Sequence, residues 1–181
     1  KITGFNGVVT VNIGSPEYYG FSTSLNYRLK KVNFFTNIGY SDREAPGKAS
    51  YQTYYLSPTA TYAYTDQQIE YERLRKNLNA NFGLEYFFTP NTSVAASFLY
   101  RDAEGGHRAE NITDAYDEDD QIENTTQRIE NETSDGQVNQ FDLGFFHKFN
   151  EEGHEIDFDF QFQDNSDLEN TLITNEELYP T

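Results

Sequence analysis

Between Asn77 and Phe88 apolar residues recur at every second position. Leu78, Ala80, Phe82, Leu84, Tyr86 and Phe88 oppose Asn77, Asn79, Asn81, Gly83 and Glu85. From Glu155 to Gln163 the pattern repeats: Ile156, Phe158, Phe160 and Phe162 oppose Glu155, Asp157, Asp159, Gln161 and Gln163. A strand sends successive side chains to opposite faces, whereas a helix would wrap these phenylalanines around its circumference. Both segments therefore read as strands with one apolar and one wet face.

The same period runs, less purely, through Phe5, Gly7, Val9, Val11 and Ile13, and through Phe21, Thr23, Leu25 and Tyr27. It returns in Val32, Phe34, Thr36, Ile38 and Tyr40, in Val94, Ala96, Phe98 and Tyr100, and in Asn139, Phe141, Leu143 and Phe145. The expectation is an all-β chain, an antiparallel up-and-down meander of about seven strands of roughly ten residues each.

Three connections look short, Leu29–Lys31, Thr89–Thr92 and Asn150–Gly153, so hairpins are expected near residues 30, 90 and 151. Long polar loops are expected at 42–70, at 102–125 and after Gln163, giving strictly alternating short and long connections. Loops beyond ~12–15 residues are uncommon in compact soluble domains. Outer-membrane barrels have this asymmetry, and their strands need ~9–11 residues. Aromatic residues cluster beside the short turns: Tyr27, then Tyr86 to Phe88, then Phe145, Phe146 and Phe149. Such girdles belong at a membrane–water interface, although Phe and Tyr also favour strands in general. The alternative is a soluble β-sandwich or an adhesin-type binding module at the cell surface, whose inner faces alternate identically.

Composition narrows the function. The chain carries 30 acidic and 13 basic residues, a net charge of −17, which argues against a nucleic-acid partner. The imbalance is local: residues 1–100 hold 9 basic and 7 acidic side chains, and residues 101–181 hold 4 and 23. With no Cys there is no disulfide, thiolate metal site or cysteine nucleophile. No apolar run is long enough for a transmembrane helix. The absence of Met and an odd number of strands lead us to expect a segment, residues 1–181, of a longer barrel, since bacterial barrels need an even number of strands.

Several phrases resemble a known family. Ile2-Thr3-Gly4-Phe5-Asn6-Gly7, Asn26-Tyr27-Arg28 and the run from Lys31-Val32-Asn33-Phe34 to Gly39-Tyr40-Ser41 look like the barrel start of TonB-dependent receptors of the Bacteroidota. Asn77 to Tyr86 and the Thr89-Pro90-Asn91-Thr92 turn resemble that family's next hairpin. The resemblance covers most of residues 4–101 and, more weakly, 137–164. It implies an outer-membrane barrel of about 22 strands, a plug domain and energised ligand uptake. Neither a plug nor a TonB-contacting segment is recognisable in these residues. The implied partners are outer-membrane lipid, further strands and a plug of the parent chain, a surface lipoprotein and TonB. The implied location is the cell outer membrane of a Gram-negative bacterium.

Two stretches are candidate sites. Tyr51, Tyr54, Tyr55, Tyr62 and Tyr64 offer apolar area with a hydroxyl at low entropic cost, which suits sugar or peptide recognition at a pore mouth. Their alternative is an extended strand with the rings packed between neighbours. Asp114, Asp117, Glu118, Asp119 and Asp120 could hold Ca²⁺ through carboxylate oxygens, but the glycine and spacing of an EF-hand are missing. A solvated, self-repelling loop is the alternative that this spacing favours. No other cofactor is expected. No enzyme is expected either: His107, His147 and His154 lie near no nucleophile elbow and in no spaced metal pair.

Overall fold

The computed structural model describes residues 3–57, 59–150 and 153–180. Seven strands form one sheet in chain order: β1 (Gly4–Gly14), β2 (Tyr18–Arg28), β3 (Val32–Tyr54), β4 (Tyr64–Thr89), β5 (Thr92–Tyr116), β6 (Ile122–Lys148) and β7 (Glu155–Tyr179). Each pairs antiparallel with the next, and no helix occurs among the described residues. The sheet is not closed, because β1 and β7 are its two edges.

The turns follow from local chemistry. Leu29 N–H donates to Val32 O at 2.7 Å, closing the β2–β3 turn over Lys30 and Lys31. The Thr89 hydroxyl donates to Thr92 Oγ1 at 2.9 Å and accepts Asn91 N–H at 3.2 Å, locking β4–β5 around Pro90. Phe149 N–H donates to His154 O at 2.8 Å in the β6–β7 turn, where Gly153 adopts φ 93°, a left-handed conformation natural to glycine. Glu151 and Glu152 of that turn lie outside the described residues.

The expected long loops are strand. β3 and β4 are joined by residues 55–63, not 42–70, and β5 and β6 by 117–121, not 102–125. β7 continues past Gln163 to Tyr179, and β1–β2 turns tightly over 15–17, so short and long connections do not alternate strictly. The physical reason is that ladder hydrogen bonds need backbone alone. A strand wet on both faces shows no alternation to read, and its charges look like loop composition. Pro46 is tolerated because β2 has only 11 residues and is spent on the first part of β3. The later part of β3 has a neighbour on its β4 side alone, where a missing N–H breaks no ladder.

Two compact units divide the chain: Lys1–Asp42, Lys76–Glu104 and Asp135–Leu168 form the first, and Arg43–Arg75, Gly105–Ser134 and Glu169–Thr181 the second. In the first, the β1–β2 register sets Phe5 opposite Tyr27, Val11 opposite Phe21 and Ile13 opposite Tyr19. One face is thus apolar across the ladder. It is also bare: Phe5 is 67% exposed, Ile13 77% and Phe162 61%. Ala115 is the one apolar side chain buried among the described residues, so this sheet has no core of its own. Among the described residues no second sheet covers it. The opposite face is polar, with the Ser97 hydroxyl donating to Asp142 Oδ2 at 3.0 Å.

Candidate ligand-binding surface

The second unit carries no apolar face. On β3, β4 and β5 odd-numbered residues, with Leu74 and Gly106 as exceptions, and on β6 even-numbered ones line two adjoining clefts. Small residues create the relief: Ala45, Gly105 and Ala109 leave hollows among larger neighbours, and the bare Gly47 admits the Tyr71 ring. The larger cleft, about 560 Å³, is lined by Arg43, Arg73, Arg75, His107, Glu132 and Ser134, among others. The smaller, about 370 Å³, includes Tyr51, Tyr71, Asn111, Arg128 and Glu130 and shares Arg73 and His107 with the first.

Four arginines thus gather on one surface of a chain with net charge −17. Arg128 Nη2 pairs with Glu130 Oε2 at 3.0 Å. The Arg73 guanidinium lies 4.9 Å from the Tyr71 ring centre, a cation–π contact. Among the described residues Arg43, Arg73 and Arg75 form no ion pair. His107 Nδ1 is buried without a hydrogen-bond partner, and its ring centre is 6.2 Å from that of Tyr71. A buried unpaired nitrogen is costly, and Asn33 Oδ1, Thr36 Oγ1 and Asn81 Oδ1 share that condition elsewhere in the sheet.

The five candidate tyrosines do not form one patch. Tyr51 lines the smaller cleft. Tyr54 and Tyr64 pack with ring centres 5.3 Å apart, and Tyr64 stacks on Tyr116 at 4.6 Å with planes 6° from parallel. The Tyr64 hydroxyl donates to Asp120 Oδ1 at 3.1 Å. Partial removal of this half-buried side chain from water, then that hydrogen bond and the nearby Asp120 charge, push its phenol up to about 12. Tyr55 OH lies 3.5 Å from Thr65 Oγ1 in the β3–β4 connection, and Tyr62 is half-buried there.

The acidic stretch folds into the β5–β6 turn. Asp117 Oδ1 accepts the N–H groups of Asp119 at 2.9 Å and Gln121 at 2.8 Å, the pattern of an Asx turn. Asp114 Oδ1 accepts the Thr125 hydroxyl at 2.6 Å, and Asp120 sits at φ 59° facing Tyr64. Glu118 is exposed in the same turn. Among the described residues no group of three or more His, Asp or Glu side chains converges as metal ligands would.

The histidines serve different ends. His147 Nδ1 lies 2.8 Å from Thr92 Oγ1, and His154 Nδ1 lies 3.2 Å from Asn150 Nδ2. The arginine surface is the feature that reading the sequence missed. Its one local signal is Arg73-Leu74-Arg75, two guanidiniums two positions apart and so on one side of any strand; Arg43 and Arg128 join only through the sheet. No protein-family model and no curated protein sequence matches the chain.

Proposed function

We propose that this chain is part of an outer-membrane β-barrel of the TonB-dependent-receptor type, taking part in ligand binding and uptake at the cell outer membrane of a Gram-negative bacterium. The carrying observation is the bare apolar face of the first unit, held in register by an antiparallel ladder with no second layer against it among the described residues. Lipid is the cover that fits such a face. The apolar runs Phe5–Ile13 and Leu78–Phe88 have the length a tilted membrane strand needs.

Inside a bilayer every backbone group needs a partner, so the edges at β1 and β7 call for further strands of the same barrel. The polar face, with its serines, asparagines and Asp142, then lines a wet lumen. The resemblance of residues 4–101 supports the receptor type, with a plug, TonB and a surface lipoprotein as partners.

Because the chain has no Cys, single cysteines report cleanly on exposure. In the chain folded into lipid vesicles, Phe158→Cys and Phe160→Cys are expected to resist a membrane-impermeant maleimide while Asp159→Cys and Gln161→Cys react. Equal labelling at all four positions would refute the membrane reading.

A further inference from the structure

The arginine surface of the second unit has a chemistry of its own. Arg43, Arg73 and Arg75 stand without ion pairs among the described residues, in a chain whose net charge of −17 gives every basic group acids to choose from. Guanidiniums present forked donors that match carboxylate or sulfate oxygens two at a time. Their concentration in clefts raises the local attraction for anions even where the chain as a whole repels them. His107 stands where the two clefts share a wall.

The other lining residues define the class of anion. Tyr51, 57% exposed, offers a flat face of the kind that packs on the C–H side of a sugar ring. Asn111 and Ser134 are neutral donors and acceptors suited to hydroxyl groups. Glu130 and Glu132 stand among the arginines, where they repel densely charged chains such as polyphosphate or nucleic acid but accept hydrogen bonds from hydroxyls. Charges spaced by hydroxyl-bearing rings satisfy both sets of groups. Since the clefts share Arg73 and His107, the ligand that fills both is elongated.

We infer that this surface binds an acidic oligosaccharide, with carboxylate or sulfate groups on Arg43, Arg73 and Arg75 and a sugar ring against Tyr51. The inference rests on the polar face of the sheet being reached by solute, and so deepens the uptake reading above.

The test is titration calorimetry of the full chain folded in detergent micelles, using tetragalacturonate as probe with maltotetraose and tetraglutamate as comparisons. Tetragalacturonate is expected to bind, with affinity that falls as salt rises. Arg73→Gln and Arg75→Gln are each expected to weaken it about tenfold, the size of a lost hydrogen bond to a charged group. Arg108→Gln, which removes the same charge from a side chain that alternation points away from His107, is expected to leave it unchanged.

Equal binding of maltotetraose would overturn the role of charge, and equal binding of tetraglutamate would overturn the role of the sugar. Absence of tetragalacturonate binding, or an equal loss in Arg108→Gln, would overturn the site. The cysteine pattern reads the membrane face alone. Failed glycan binding with that pattern intact therefore counts against this inference only, and a failed pattern counts against the barrel reading whatever binds.

Discussion

Tyr64 and Tyr116 stack with ring centres 4.6 Å apart and planes 6° from parallel, joining the first residue of β4 to the last of β5. Asp120, in the turn that follows β5, accepts the Tyr64 hydroxyl at 3.1 Å. The pair anchors the β5–β6 turn to the neighbouring β3–β4 connection, where Ala63 N–H donates to Tyr116 O at 2.8 Å.

This anchor titrates. The Tyr64 phenol is raised from 10.0 to about 12, so folding favours its neutral form. Whatever stability it confers is intact below pH 10.0 and is lost as pH climbs towards about 12. In a phenolate absorbance titration, Tyr64 is expected to give a late step that is reached only as pH approaches about 12. Tyr64→Phe should delete that last step and speed hydrogen exchange at Asp119 and Gln121; a variant curve still showing the late step would assign it elsewhere.

Gly83 is required by Phe35. A Cβ at Gly83 would collide with the Phe35 ring on the polar face of the sheet. Gly83→Val is expected to destabilise the folded chain by roughly 1–3 kcal/mol, the usual cost of overpacking. Urea unfolding of the double variant with Phe35→Ala should recover most of that loss. Simple addition of the two single costs would disprove the contact.

Gly153 is required by its backbone. At φ 93° with open space around its Cβ position, the cost of a side chain there is conformational and not steric crowding. Gly153→Ala should cost about 1–2 kcal/mol. Gly4→Ala, equally uncrowded in an extended strand, should stay within about 0.5 kcal/mol. Matching stabilities for the two variants would contradict the left-handed turn.

The two faces of β7 should respond unequally to charge. Phe160→Arg is expected to cost about 2–4 kcal/mol when the chain is folded in a bilayer, and Gln161→Arg much less. Comparable costs for the two, measured by denaturant titration in vesicles, would argue that lipid does not cover the Phe160 face.

The Lys48–Glu70 ion pair should matter little. Its side chains are 77% and 67% exposed, so water screens the attraction and both chains give up freedom to meet. Lys48→Ala is expected to change stability by less than about 0.5 kcal/mol. A loss several times larger would mean the pair is shielded.

The strands legible in the sequence were those with one apolar and one wet face. Leu78 to Phe88 and Ile156 to Phe162 announce themselves because every second side chain must avoid water. Arg43 to Tyr54, Gly105 to Tyr116 and Leu168 to Tyr179 are also strand, yet they read as loop because both faces are polar and no period survives. The tyrosine candidates were visible as a composition. Their division between the stack at Tyr64 and the cleft at Tyr51 was not, since it depends on which residue of β4 and β5 lies across the ladder.

By itself the sequence determined the period, and with it an all-β chain that has one apolar face over part of its length. Solvent preference acts residue by residue, so it is written in the order of residues. Only the tertiary structure decided how far each strand runs and that a single open sheet leaves that face bare. It alone gathered Arg43, Arg73, Arg75 and Arg128 around His107. Hydrogen-bond registry between distant strands brings those residues together, and no local rule of hydrophobicity or charge encodes it.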